Sequence, residues 1–152
     1  RGRTSASVVV TRDGQPSASV DVPVLDVQPA VYAAGDGTAV VVRAADYSLV
    51  TAGRPLAPGE FVFVYATGLG QVQNEPATGA GAPLSPLAAV VADVRVTLGG
   101  LACEVQFAGF APALVGVYQV NFRAAASAPG GLQDLVISAG GSTSPAVKVA
   151  VR

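Results

Sequence analysis

Any chemistry in this chain has to run without histidine. Its 152 residues contain no His, no Met, no Trp and a single Cys. The commonest general base and metal ligand are therefore missing, and no disulfide can form within the chain. A Ser or Cys nucleophile needs a base within hydrogen-bonding reach, and only carboxylates or Lys148 remain for that role. Cys103 falls on the apolar side of an alternating stretch, which reads as a buried, unreactive thiol. There is no G-x-S-x-G elbow, phosphate-binding loop or dinucleotide fingerprint, and Gly68-Leu69-Gly70 reads as a turn. The acids include no D-x-D-x-D run. Asp36, Asp46 or Asp134 with backbone carbonyls could offer oxygens to Ca²⁺, but a bound metal or cofactor is not expected.

Lys148 is the only lysine. A Lys–Asn isopeptide crosslink would require it to be buried beside an Asn and an acid. Its place between Val147 and Val149 puts it on the solvent side instead. Asn121 and Gln119 likewise read as outward strand residues, with Tyr118 and Phe122 as core anchors between them. No catalytic constellation is left, and the chain is not expected to be an enzyme.

Composition narrows the classes further. With 51% apolar and 12% charged residues, the chain is neither a disordered tail nor a long solvated helix. Nine basic against ten acidic residues give a net charge of −1, so it has no electrostatic footprint for nucleic acid or an anionic membrane. The longest apolar stretch, around Leu87–Ala92, is far short of the roughly 20 residues of a spanning helix, and membrane insertion is not expected. A chain that begins Arg1-Gly2-Arg3 and lacks Met implies processing or trimming. A removed signal peptide would fit an exported protein.

The elements that must position these residues are strands. Period-2 alternation dominates, and eleven Pro and eighteen Gly cut the chain at the spacing of a sandwich or barrel. Three hairpins are expected: Ser7–Thr11 with Ser17–Val24 around Asp13-Gly14, Val94–Leu98 with Leu101–Phe107 around Gly99-Gly100, and Leu135–Ala139 with Ala146–Val151 around Gly140-Gly141. Inward faces are expected at Val94, Val96 and Leu98; at Leu101, Cys103, Val105 and Phe107; at Tyr118, Val120, Phe122 and Ala124; and at Val147, Val149 and Val151. Phe61–Tyr65, apolar throughout, reads as a central strand. Residues 71–92 read as a long loop with one short helical turn near Leu87–Val91.

An internal repeat is more informative than any motif. Ser7–Val24 aligns without a gap on Asp134–Val151, with identities at Val9/Val136, Gly14/Gly141, Ser17/Ser144, Val20/Val147, Val22/Val149 and Val24/Val151. The chain end then reads as the closing hairpin of a module, and residues 1–27 as the closing hairpin of a preceding one or a self-association element. Shared Val/Ser composition is the competing explanation. An orphan hairpin has open edges and must join a sheet, its own or another chain's.

The stretches PGEFVFVYATGLG, VRVTLGGLACEVQFAGFAPALVGVYQVNFR and VKVAVR, in this order from Pro58 to Arg152, resemble an uncharacterised C-terminal domain family of large exported bacterial proteins, abundant in Acidobacteria. VLDVQPAVYAAGDGTAVV resembles the linker and opening strand of the same family, and YATGLG is similar to the start of IPT/TIG immunoglobulin-like domains. One departure is Ala113, where the family usually has Gly; Ala fits such a turn only with negative φ. The resemblance implies an all-β, immunoglobulin-like antiparallel β-sandwich over residues 28–152, with an extra N-terminal β-hairpin, in an extracellular or cell-surface setting. It implies no catalysis and assigns no ligand.

The expected function is a structural or interaction module whose partners are copies of itself or neighbouring immunoglobulin-like domains. In its sharper form it is the subunit of a surface fibre, paired through Val8, Val10, Val20, Val22 and Val24. The alternative is a carbohydrate- or cell-envelope-binding module using loops 71–92 or 108–116.

Overall fold

A computed structural model of the chain describes residues 2–152. Among the described residues there is no helix. The strands are β1 Ser5–Val8, β2 Thr11–Arg12, β3 Gln15–Pro16, β4 Val20–Pro23, β5 Ala30–Val31, β6 Val41–Arg43, β7 Phe61–Thr67, β8 Val94–Leu98, β9 Leu101–Phe110, β10 Tyr118–Arg123, β11 Gly131–Ala139, β12 Ser142–Thr143 and β13 Val147–Val151. The helical turn expected near Leu87–Val91 is not formed. Bridges Val72↔Val90 and Ala89↔Gly109 hold that segment extended, so its backbone groups are satisfied by the sheet.

From β5 onward the strands build one nine-stranded sheet with antiparallel ladders, in the order β12-β11-β8-β9-β10-β7-β5. β13 lies on β11 and β6 on β7. β9 is the corner of this sheet. Its residues Leu101–Cys103 pair with β8, whereas Glu104–Phe110 pair with β10, with a register shift at Asn121/Phe122. Such a bulge increases twist and lets one sheet fold back on itself as a two-layer sandwich. Phe61–Tyr65 does become a central strand, flanked by β10 on one side and by β5 and β6 on the other.

The alternation of apolar residues decides what lies between the layers. Val62, Val64, Val120 and Phe122 from β7 and β10 share a core with Val96, Leu98, Leu135, Ile137, Val149 and Val151 from β8, β11 and β13. The outer edge of β13 is covered as well: the N–H groups of Ala39 and Leu56 donate to the carbonyls of Lys148 and Ala150, each at 2.8 Å. One inward face departs from expectation. Leu101 is exposed, and Cys103, Val105 and Phe107 are only half-buried, because a corner strand is covered by neither layer along its whole length.

Ala113 departs too. Its φ is +66°, the left-handed region, not the negative φ that an alanine in this turn was expected to need. The turn is held there by the Ala113 N–H donating to the Ala82 carbonyl at 2.9 Å. A Cβ in this region costs about 1–2 kcal/mol, part of which a glycine returns as unfolded-chain entropy. Ala113→Gly is therefore expected to raise stability by up to about 1 kcal/mol, read as a higher urea midpoint at unchanged slope.

The N-terminal hairpin stands apart. β1 pairs with β4 and β2 with β3 as two small sheets, and neither shares a ladder with the nine-stranded sheet. Its strands are shorter than the alternation suggested, with a break at Val9–Val10 facing Ser17–Ser19.

Candidate functional site

The hairpin is where unsatisfied surface concentrates. Val8, Val10, Val20, Val22 and Val24 are between 37% and 66% exposed, with Val9 and Leu25 beside them also exposed. Alternation in β1 and β4 puts apolar side chains on a hairpin too thin to bury them itself. Val8↔Val20 and Ala6↔Val22 are cross-strand pairs, so the valines of the two strands adjoin. Polar groups mark the ladder between these pairs: Ser7 Oγ donates to Asp21 Oδ1.

A short joint seats this hairpin on the sandwich. The Gln28 N–H donates to the Gly68 carbonyl at 2.8 Å, and Pro29 is fully buried. Gly68, with φ +72°, lies so close beneath the linker that a Cβ there would sit 1.9 Å from the Gln28 oxygen. At Gly70 and Gly140 a Cβ would lie 2.9 Å and 3.0 Å from Val27 Cγ2, so Val27 is held between the 68–70 turn and the tip of the β11–β12 hairpin. Gly68-Leu69-Gly70 is thus a turn, as read, and also the seat of the linker. The proximity of residues 40 positions apart has no signature in the sequence.

A second exposed feature lies on the outer side of β7 and β10. Phe61, Phe63 and Tyr65 stand opposite Arg123, Asn121 and Gln119. Tyr47 and Tyr65 each meet Phe63 edge-on, at 6.3 Å and 5.7 Å, and the Arg123 guanidinium lies 5.4 Å from the Phe61 ring centre. Gln119 donates to Asn121 at 2.8 Å. Tyr32 and Tyr47 are exposed. The unbroken apolar run Phe61–Tyr65 does not show that its alternate positions Phe61, Phe63 and Tyr65 lie on the side away from the core, where Phe63 is nonetheless buried.

The residues considered for chemistry are dispersed. Lys148 Nζ is 2.7 Å from Asp134 Oδ1, both half-exposed, while Asn121 sits on β10 in the other half of the sheet. Asp36 closes a turn by accepting from the Thr38 hydroxyl and N–H, and these two bonds hold its carboxyl below the usual range. Asp46 accepts from the Ser48 hydroxyl and N–H and from Arg54; in that order these bonds depress its pKa, so the turn is fully held at neutral pH and released only in strong acid. Among the described residues no three His, Cys, Asp or Glu side chains converge on a point. Tyr118 and Phe122 are buried, as expected, and the Tyr118 hydroxyl donates to the Gly70 carbonyl.

Cys103 is half-buried instead of fully buried, because it lies at the corner strand. Burial raises its pKa, so little thiolate exists at neutral pH. Iodoacetamide labelling of the native protein at pH 7 is expected to run slower than labelling of the unfolded chain. Equal rates would show that the fold neither shields this thiol nor changes its ionisation.

Among the described residues no helix is long and apolar enough to cross a membrane. The class defined by fold and surface is an all-β antiparallel sandwich with an appended hairpin. Comparison with protein-family models, curated proteins and solved structures finds no match in any of the three.

Proposed function

We propose that this chain is a non-catalytic, extracellular structural or interaction module with an immunoglobulin-like sandwich, which joins neighbouring β-domains or copies of itself through residues 5–24, as in a surface fibre. The exposed valine row on a hairpin with open edges carries this reading. Apolar faces with unpaired backbone are the surfaces that β-strand addition uses. If the contact is head-to-tail, it propagates into filaments unless it closes into a ring.

Sedimentation velocity and negative-stain microscopy over a rising concentration series test it. The native chain is expected to assemble, and a Val10→Lys/Val22→Lys variant to remain monomeric with an unchanged thermal midpoint. A native chain that stays monomeric up to millimolar concentration would sink the fibre reading.

The outer aromatic face supports a second reading, a carbohydrate- or envelope-binding module. Exposed tyrosines beside amide side chains combine a stacking surface with donors and acceptors. The 71–92 and 108–116 loops fit this less well, since their exposed large apolar residues are the aliphatic Leu84, Leu87, Val91, Leu114 and Val115. Titration of envelope polysaccharide against tyrosine fluorescence, with Tyr47→Ala as comparison, decides it: no response from the native chain removes the reading.

A further inference from the structure

The two hairpins that align in sequence also coincide in ladder register, turn conformation and the bonds of one serine. The ladder Ser5↔Pro23, Ala6↔Val22, Ser7↔Asp21, Val8↔Val20 matches Leu132↔Ala150, Gln133↔Val149, Asp134↔Lys148, Leu135↔Val147 position for position. Thr11↔Pro16 and Arg12↔Gln15 match Ser138↔Thr143 and Ala139↔Ser142. The turns agree, with φ of 49° and 78° at Asp13-Gly14 and 53° and 84° at Gly140-Gly141. Ser17 Oγ accepts from the Val10 N–H at 3.1 Å and donates to the Ala18 carbonyl; Ser144 Oγ accepts from the Ile137 N–H at 3.1 Å and donates to the Pro145 carbonyl. Shared Val/Ser composition accounts for alternation, but not for a serine that breaks the ladder at the same step and repairs it with the same two bonds.

The difference lies in what covers them. Leu135, Ile137, Val149 and Val151 are at most 4% exposed, whereas their counterparts Val8, Val10, Val22 and Val24 are 37–66% exposed. β8 runs along one edge of β11, and the Leu56 backbone bonds the outer edge of β13. Among the described residues no strand pairs with the corresponding edges of the first hairpin. Pro23 fits such a place: the Val24 N–H bonds the Thr4 carbonyl, so the nitrogen of Pro23 faces away from β1 and removes no ladder bond.

We propose that residues 5–24 are the closing hairpin of a second β-sandwich, and that Val8, Val10, Val22 and Val24 seat the body of a domain built like residues 28–130 that has no closing strands of its own. This rests on reading the chain as a structural module and names the partner. The occupant follows from the molecule itself, because the same hairpin at residues 131–151 is covered by that kind of body. A second copy of this chain does not supply one, since residues 131–151 already fill the place. The partner differs at one point: Arg12 stands where Ala139 is buried, so the partner is open at the hairpin tip.

The test places residues 28–133 directly ahead of residues 7–152, so that a body precedes the hairpin in the register of the repeat, and builds the same protein with Arg12→Ala. Hydrogen exchange of the amides of residues 7–24 is read against the unextended chain. In a monomeric two-sandwich particle these amides are expected to slow by at least about 100-fold. Protection only in the Arg12→Ala form supports the same face with a different tip. Amides that exchange as in the unextended chain in both forms overturn the proposal, whether the added body is unfolded or has captured residues 134–151. Self-association of the unextended chain is a separate readout: a monomeric chain whose extended form protects the hairpin refutes the fibre and leaves this inference standing.

Discussion

Arg43→Ala is expected to lower the stability of the sandwich by about 3–5 kcal/mol, the cost of breaking a buried, fully bonded ion pair from one side. Arg43 ends β6 on the inward side, opposite Val62, and its side chain is 5% exposed. Its Nε meets Glu60 Oε1 at 2.7 Å; Nη1 donates to the Leu49 carbonyl, and Nη2 to those of Arg54 and Pro55, each at 2.9 Å. Glu60 in turn accepts from the Ala57 N–H at 2.9 Å. One guanidinium thus ties residues 49–60, which contain no ladder strand, across the end of the core. Removing it takes the side-chain donor from the Leu49 and Pro55 carbonyls and leaves Glu60 with only its Ala57 bond, while the Arg54 carbonyl keeps the Thr51 N–H. Lysine is no substitute, because a point charge cannot reproduce the planar fork. Glu60→Ala is expected to cost less, since the three carbonyl bonds survive. Urea unfolding of both single variants and the double separates the ion pair from the carbonyl bonds, and an Arg43→Ala midpoint equal to the native one would refute the account.

Gly68→Ala is the second large effect. The new Cβ would be strained by the +72° φ and would meet the Gln28 carbonyl at 1.9 Å, so the linker has to leave its seat or the turn has to move. Strain and overpacking together are expected to cost about 3 kcal/mol. The loss has a location as well. The Gln28 to Gly68 hydrogen bond breaks, Val27 is released, and cleavage by a protease between Val24 and Pro29 should become fast while the sandwich is still folded. A stability loss without new cleavage would mean that the turn gave way instead of the linker. Because this joint sets the hairpin's direction, the variant would also misplace whatever the hairpin engages.

Much of this is legible in the sequence. The all-β class and the faces of β8, β10 and β13 follow from period-2 alternation, and the central place of Phe61–Tyr65 from an unbroken apolar run; both are local properties. The repeat was legible too, since eighteen aligned residues carry their turn and their serine with them. What failed were matters of neighbourhood. The half-burial of Cys103 depends on β9 being the corner, and the φ of Ala113 on a hydrogen bond to Ala82. The role of Arg43 depends on three carbonyls that lie 6 to 12 residues away. A lone charge ending the apolar run Val40–Val42 was its only trace in the sequence.

The sequence by itself therefore determined the all-β class, the faces of β8, β10 and β13, the absence of histidine chemistry and the alignment of the two hairpins. Each of these is written in residue types two to four positions apart, where backbone sterics and side-chain alternation act. Only the tertiary structure decided which hairpin is covered and which is bare. The same ladder is core at residues 131–151 and surface at residues 5–24, because burial is a property of what packs against a strand and not of the strand.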